Sequence, residues 1–165
     1  LRQAIGGMAA IMDESTAIFS PNANSFRRFA PNCYVPATPN WGVNHRDLAL
    51  RIPLSSPENT RVEHRVAGAD ANPYLVVAAI LAGIHHGIVS QSDPGVMVRP
   101  GEEIDEIVTL PVRWELALNA FDAGQVLPKY LGPYHRIFAS CRREECDRFH
   151  AEITNRDYEW YLRAV

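Results

Sequence analysis

Lysine is almost missing from this chain of 165 residues: Lys129 stands alone among 16 basic residues, and the rest are arginines. Cysteine is scarce as well. Cys33, Cys141 and Cys146 are odd in number and lack metal-ligand spacing, which argues against a disulfide scaffold and fits a reducing cytoplasm. The longest uninterrupted apolar run, residues 75–82, is far shorter than the roughly 20 residues of a membrane-spanning helix. Positive charge is not in excess, because the formal net charge is −3; neither nucleic acid nor an anionic membrane is expected as a partner. No signal-peptide pattern, repeat or low-complexity segment is visible. What remains is 47% hydrophobic and 21% charged, the composition of a globular chain able to bury one core. The chain opens at Leu1 in what reads as a helix, so a piece of a longer protein is expected.

Arginine in place of lysine has a bland explanation, a genome-wide codon bias, and a chemical one. Guanidinium is planar, binds carboxylate and phosphate through two parallel hydrogen bonds, and stays charged when buried. Position favours the chemical one. Residues 24–65 carry six arginines (Arg27, Arg28, Arg46, Arg51, Arg61, Arg65) against three acids (Asp47, Glu58, Glu63), within a chain that is otherwise acidic. A focused anion site is the implication.

Helical spacing of Ile5, Met8, Ala9 and Met12 predicts a helix over residues 1–13, with Gly6-Gly7 in close contact with a neighbour. Residues 21–38, rich in proline and asparagine, predict an ordered loop rather than a helix. Alternation over 47–53 and 61–66 predicts two paired strands joined by the loop 54–60. Asn72-Pro73 predicts the start of a helix over 74–86, apolar nearly all round and hence buried, with Gly87 as its stop. His85-His86 would cap its C-terminus. Trp114, Ala117, Leu118 and Phe121 mark an amphipathic helix. Pro133 opens another with Tyr134, Ile137, Phe138 and Cys141 on its inner face, and Thr154 with Asp157 caps a last helix bearing Tyr158, Tyr161 and Leu162. Cys141 and Cys146 read as core or interface residues, and the acids at 102–106 as a solvated surface. Asp13-Glu14 reads as a helix end, where carboxylates oppose the dipole. The fold class is α+β: a few antiparallel strands carrying an arginine face, packed on the central helix with helices on either side.

Period-two geometry places Arg61, Glu63 and Arg65 on one face of a strand, and Val62, His64 and Val66 on the other, with His64 a satisfied core histidine. A carboxylate between guanidiniums is either a salt-bridged surface row or a cation ligand whose neighbours hold the anions that the cation also touches. Arg46 and Arg51 flank the preceding strand and would join the same face. Four arginines converging on one carboxylate repel one another unless anions bind among them.

Six blocks then match a known family. They are 24–29 (Asn-Ser-Phe-Arg-Arg-Phe) with Pro31, Trp41, 44–46 (Asn-His-Arg), 50–53 (Leu-Arg-Ile-Pro), 61–65 (Arg-Val-Glu-His-Arg) and 70–75 (Asp-Ala-Asn-Pro-Tyr-Leu). In order and spacing they resemble the C-terminal half of the glutamine synthetase catalytic domain. The likeness extends over residues 1–165, the family's N-terminal β-grasp domain and the first half of the catalytic domain being absent. It implies that Glu63 binds Mg²⁺ or Mn²⁺ and that Arg28 and Arg65 hold a glutamate substrate. It also implies that Arg46, Arg51 and Arg61 contact the phosphates of ATP, with Arg46 catalytic at the transferred phosphoryl group. The implied reaction phosphorylates the γ-carboxylate of glutamate and lets an amine displace phosphate. A ring-shaped homo-oligomer in the cytoplasm is implied too, and a lone fragment of this extent would be inactive.

One departure narrows the resemblance. Where ammonia-using members carry a flap glutamate that receives ammonium, this chain has Tyr34, which is not anionic near neutral pH. Trp41-Gly42 and residues 65–70 look closer to glutamate–amine ligases of the γ-glutamylpolyamine synthetase type. The alternatives are an ammonia-using glutamine synthetase and a non-catalytic module that binds nucleotide or another anion.

Overall fold

The computed structural model describes residues 1–30, 33–102 and 108–163. Most of the acidic run at 102–106 lies outside them. Two helices, α1 (Arg2–Ala10) and α2 (Met12–Phe19), form the expected N-terminal apolar stretch, broken at Ile11 where the backbone leaves helical geometry. Their side chains Ile5, Met8, Ile11, Met12, Ile18 and Phe19 are buried at the centre of the core. Next comes α3 (Ala23–Phe26), a single turn inside the segment expected to be helix-free. Asn22 explains the turn: its Oδ1 accepts from the Asn24 and Ser25 N–H groups, while the Ser25 hydroxyl accepts from the Asn22 N–H.

Crossing α1 is α4 (Pro73–Val89), capped as expected by the Asn72 side chain, which accepts from the N–H groups of Tyr74 and Leu75. Glycines set the crossing distance. A Cβ on Gly7 would strike the main chain of Gly83 and Gly87, and one on Gly87 would strike the Gln3 carbonyl. Gly6-Gly7 therefore makes the expected close contact. Gly87 does not end the helix; it lies inside α4 at this contact, and the helix runs two residues further. The expected all-round burial is also corrected. Ala79, Ala82, Gly83 and Gly87 are buried, whereas Tyr74, Val77, Leu81, Ile88 and Val89 are exposed. Nor does His85 cap the helix: its Nδ1 hydrogen-bonds the Tyr130 hydroxyl at 2.8 Å, and Ser90 takes the His86 carbonyl.

A helix α5 (Trp114–Ala123) packs on α2 and buries Trp114, Ala117, Leu118 and Phe121, the expected set. After the short α6 (Leu127–Leu131) comes α7 (Pro133–Ala151), which turns a different face inward from the one expected. Of the expected set Phe138 does pack inward, its ring 5.1 Å from that of Phe121, but Tyr134, Ile137 and Cys141 are exposed, while His135, Ala139 and Cys146 are buried. The His135 ring stacks on Phe121 at 4.1 Å and hydrogen-bonds its carbonyl, so an imidazole outcompetes the aliphatic stripe for the α5 contact. The last helix, α8 (Asn155–Tyr161), has the expected Thr154–Asp157 capping box, with Tyr158, Tyr161 and Leu162 exposed.

Three short strands, β1 (Trp41–Val43), β2 (Leu50–Ile52) and β3 (Glu63–His64), form one sheet in that order. β2 and β3 are antiparallel as expected, but β1 runs parallel to β2, which corrects the all-antiparallel expectation. The strands are shorter than the alternation suggested because Leu48, Ala49 and Leu50 are all buried, which breaks the two-residue rhythm.

Glu14 has a place that the sequence did not suggest. It lies in the first turn of α2, where a carboxylate favours the helix dipole, and it is buried. Its Oε2 accepts from the N–H groups of Val126 and Leu127 at 3.3 and 3.1 Å, and Gly124 beside it has no room for a Cβ. Burial pushes the Glu14 carboxyl above the ordinary carboxylate range, with those two hydrogen bonds opposing the rise. The Glu14→Ala variant, which strands two amide donors, is expected to lose about 2 kcal/mol in denaturant unfolding. Glu14→Gln keeps an acceptor and should lose less, with a smaller deficit at neutral than at acidic pH because the carboxylate's own contribution falls as pH rises through its raised pKa.

Candidate active site

Register creates the central feature. Arg51 on β2 faces Glu63 on β3 directly across the antiparallel ladder, so their side chains project from the same side of the sheet. Arg51 Nη1 meets Glu63 Oε2 at 2.7 Å, and Arg65, two residues along, brings Nε to Oε1 at 3.2 Å. Each guanidinium thus holds one oxygen of the same carboxylate. The two arginine side chains are 15% and 19% exposed, whereas Glu63 is 41% exposed. The cations are more deeply placed than the anion between them, and their surplus charge is not neutralised by Glu63. Arg51 Nε and Arg65 Nη1 are buried and have no hydrogen-bond partner among the described residues. A buried donor without an acceptor is costly, and here two belong to charged groups at one place. An anion with several oxygens would relieve both.

The opposite face of the same two strands belongs to the core. Leu50 is buried opposite His64. The His64 ring sits against Phe19 with centroids 4.5 Å apart, but its buried Nδ1 has no partner among the described residues, so this core histidine is not the satisfied one expected. Burial pushes its pKa down to about 4.

The other expected site residues are dispersed. Arg28 donates Nε to the Ser25 carbonyl and Nη2 to the Phe19 and Val66 carbonyls and the Ser20 hydroxyl. It ties the α2 exit to the segment after β3. Asp70 faces this cluster and accepts from Ser25 and Asn22; burial works against its charge, but these bonds and Arg28 hold its carboxyl below the usual range. Arg46 is exposed in the turn between β1 and β2, and Arg61 is exposed with Nη1 on the Asn59 carbonyl. Neither pairs with Glu63 among the described residues, so two arginines converge on it, not four. The β3 strand begins at Glu63, which leaves Arg61 outside the ladder that would have aligned it. Asn44 was not expected to take part. Its left-handed backbone (φ 51°) just past β1 lets Oδ1 accept from Arg51 Nη2 at 2.7 Å. A polar residue able to adopt positive φ, directly after a strand, was the available signal. Tyr34 also has positive φ (54°) and is 79% exposed.

A sheet face that presents paired, partly unsatisfied guanidiniums around an open carboxylate has the donors to hold an anion beside a cation. Comparison with known proteins then gives the lineage. The glutamine synthetase catalytic domain family matches residues 1–161. The chain is 42% identical over 164 residues to gamma-glutamylputrescine synthetase PuuA of Escherichia coli, covering 99% of this chain and 35% of PuuA. It is 35% identical over 168 residues to gamma-glutamylethanolamide synthetase GlnA4 of Streptomyces coelicolor, covering 99% and 34%. Solved structures of GmaS without ligand and in an ADP complex superpose with TM-scores of 0.84 and 0.83. Their identities are 30% and 31%, over 98% of this chain and 38% and 39% of theirs. The chain belongs to the glutamine synthetase family, within its catalytic domain. It spans about a third of the length of these curated relatives.

His64 supplies a pH test of this arrangement. Its pKa falls from 6.5 to about 4 on folding, so the unfolded chain takes up a proton first as pH drops. The neutral ring's contribution is complete above pH 6.5 and is lost progressively toward pH 4, by roughly 3 kcal/mol in all. Denaturant unfolding of the wild type between about pH 7.5 and about pH 4.5 should show this loss, and His64→Leu should lack that part of the slope.

Proposed function

We propose that the protein to which this chain belongs is an ATP-dependent ligase that phosphorylates the γ-carboxylate of glutamate and joins it to an amine. The observation that carries this reading is the Arg51–Glu63–Arg65 cluster, with two buried guanidinium N–H groups left for an anion. Both steps build negative charge on oxygen, first on the transferred phosphoryl group and then on the tetrahedral carbon that the amine attacks. Fixed guanidiniums stabilise such charge without reorganising. In this proposal Arg51, Arg46 and Arg61 face the phosphates, Arg46 acting at the transferred group. Arg65 and Arg28 face glutamate, Arg28 chiefly by fixing the surrounding backbone. The donor chemistry of Glu63, a hard and partly open carboxylate, fits one ligand of Mg²⁺ or Mn²⁺. Such an ion, when bound, neutralises phosphate charge. The ADP complex of GmaS supports nucleotide as a substrate class.

Tyr34 and the relatives named for putrescine, ethanolamide and isopropylamine favour an amine over ammonium as acceptor. An exposed phenol offers no fixed negative charge to capture a small ammonium ion, but it gives a flat face to a longer alkylamine. A cytoplasmic homo-oligomer completes the proposal.

Phosphate release by the full-length protein with glutamate, ATP and a panel of putrescine, ethanolamine, isopropylamine and ammonium tests the reading. Turnover is expected with at least one alkylamine and little with ammonium; ammonium alone would overturn the amine assignment. Arg51→Ala and Arg65→Ala are each expected to lower kcat by about 10²–10³. Arg28→Ala should instead reduce folding stability, as read by thermal unfolding.

A further inference from the structure

Where α5 packs on α7, three donors of different kinds come together. Glu115, Cys146 and His150 each offer one ligand atom, and these atoms all lie within 4.8 Å of one another. Cys146 and His150 are one helical turn apart on α7, so they share a face, and Glu115 comes from the first turn of α5, which packs against it. We propose that Glu115, Cys146 and His150 form a binding site for zinc or a similar borderline-soft divalent cation, which would clamp α5 to α7.

The geometry of the three donors carries the argument. His150 Nδ1 lies 2.9 Å from the Cys146 carbonyl, and the tautomer that donates to this acceptor carries its proton on Nδ1. In the neutral ring Nε2 is then a lone pair, and it lies 3.2 Å from Glu115 Oε1, another acceptor. A cation ligated by both would sit between these two atoms, with Cys146 as its third protein donor. A ring fixed by an Nδ1–H bond to a main-chain carbonyl is the orientation in which metal-binding histidines are commonly held. Two donors on one tetrahedral zinc are separated by roughly 3.3 Å for nitrogen and oxygen, close to the spacing present.

The third donor selects the metal. Cys146 is 3% exposed, and its sulfur lies 3.5 Å from His150 Nδ1. Burial raises its thiol pKa, and Glu115, Asp147 and Glu145 add to this while Arg143 opposes them. The bare thiol is therefore protonated and inert. A bound dication reverses the local field: sulfur coordinates as thiolate, and its proton leaves to solvent, so affinity rises with pH. Sulfur with imidazole favours zinc over magnesium. The site lies in the last turn of α7, where the helix end favours positive charge. His150 and Glu115 are 51% and 55% exposed, which leaves a way in for water as the fourth ligand.

Titration of the chelator-treated full-length protein with Co²⁺ tests the site. A thiolate-to-cobalt charge-transfer band should saturate at one equivalent per chain and be displaced by Zn²⁺. Exposed His150 can be changed without disturbing the core, so His150→Ala should abolish the band with its unfolding transition retained. Glu115→Gln should weaken binding by about tenfold, and Cys141→Ser should leave it unchanged. Absence of the band in wild type, its survival in His150→Ala, or its loss in Cys141→Ser would each overturn the proposal. None of these outcomes depends on the ligase activity proposed above.

Discussion

A carboxylate held at both oxygens by arginines that are themselves more buried than it is cannot be an accident of surface packing. Exposed ion pairs contribute little, and nothing is gained by sinking two guanidiniums beside each other for that purpose. Repulsion between Arg51 and Arg65 is relieved in part by Glu63, and two of their N–H groups have no acceptor among the described residues. Much of the remaining architecture keeps this arrangement in place. The Arg51↔Glu63 register aligns the charges, Asn44 holds the second nitrogen of Arg51, and on the reverse face Leu50 and His64 anchor the ladder in the core beside Phe19.

Such a small sheet has little stability of its own. Strands of two or three residues need an external support, and α1, α2 and α4 supply it. Glycine contacts let α1 and α4 approach to backbone distance, and Glu14 joins α2 to the segment before α6 through two main-chain amides. Arg28 adds a third tie by gathering carbonyls from three segments around one guanidinium. Positioning of the site is thus distributed over several segments of the chain.

Local signals were legible where a residue acts on its own neighbours. The Asn72 and Thr154 caps, the α5 apolar face, the β2–β3 pairing and the Glu63–Arg65 face could all be seen in the sequence, since each depends on spacing alone. The order of the arginine blocks revealed the family for the same reason. What could not be seen depended on a partner distant in the chain. Gly87 looks like a helix stop until Gly7 is placed against it. The α7 stripe of Tyr134, Ile137 and Cys141 looks like an inner face until His135 stacks on Phe121. The role of Arg28 in tying together the carbonyls of Phe19 and Val66 likewise depends on segments far apart in the chain. The grouping of Cys146 with His150 one turn away depends on Glu115 from another helix, which cysteine spacing alone does not show.

The central claim is that the unpaired donors of Arg51 and Arg65 receive an anionic ligand beside Glu63. A crystal structure of the full-length protein with ADP, Mg²⁺ and glutamate tests it most directly. The expected result is ligand oxygens within hydrogen-bond distance of Arg51 Nε and Arg65 Nη1, with the β2–β3 register unchanged. Nucleotide and amino acid bound elsewhere, with both guanidiniums still facing Glu63 alone, would contradict it.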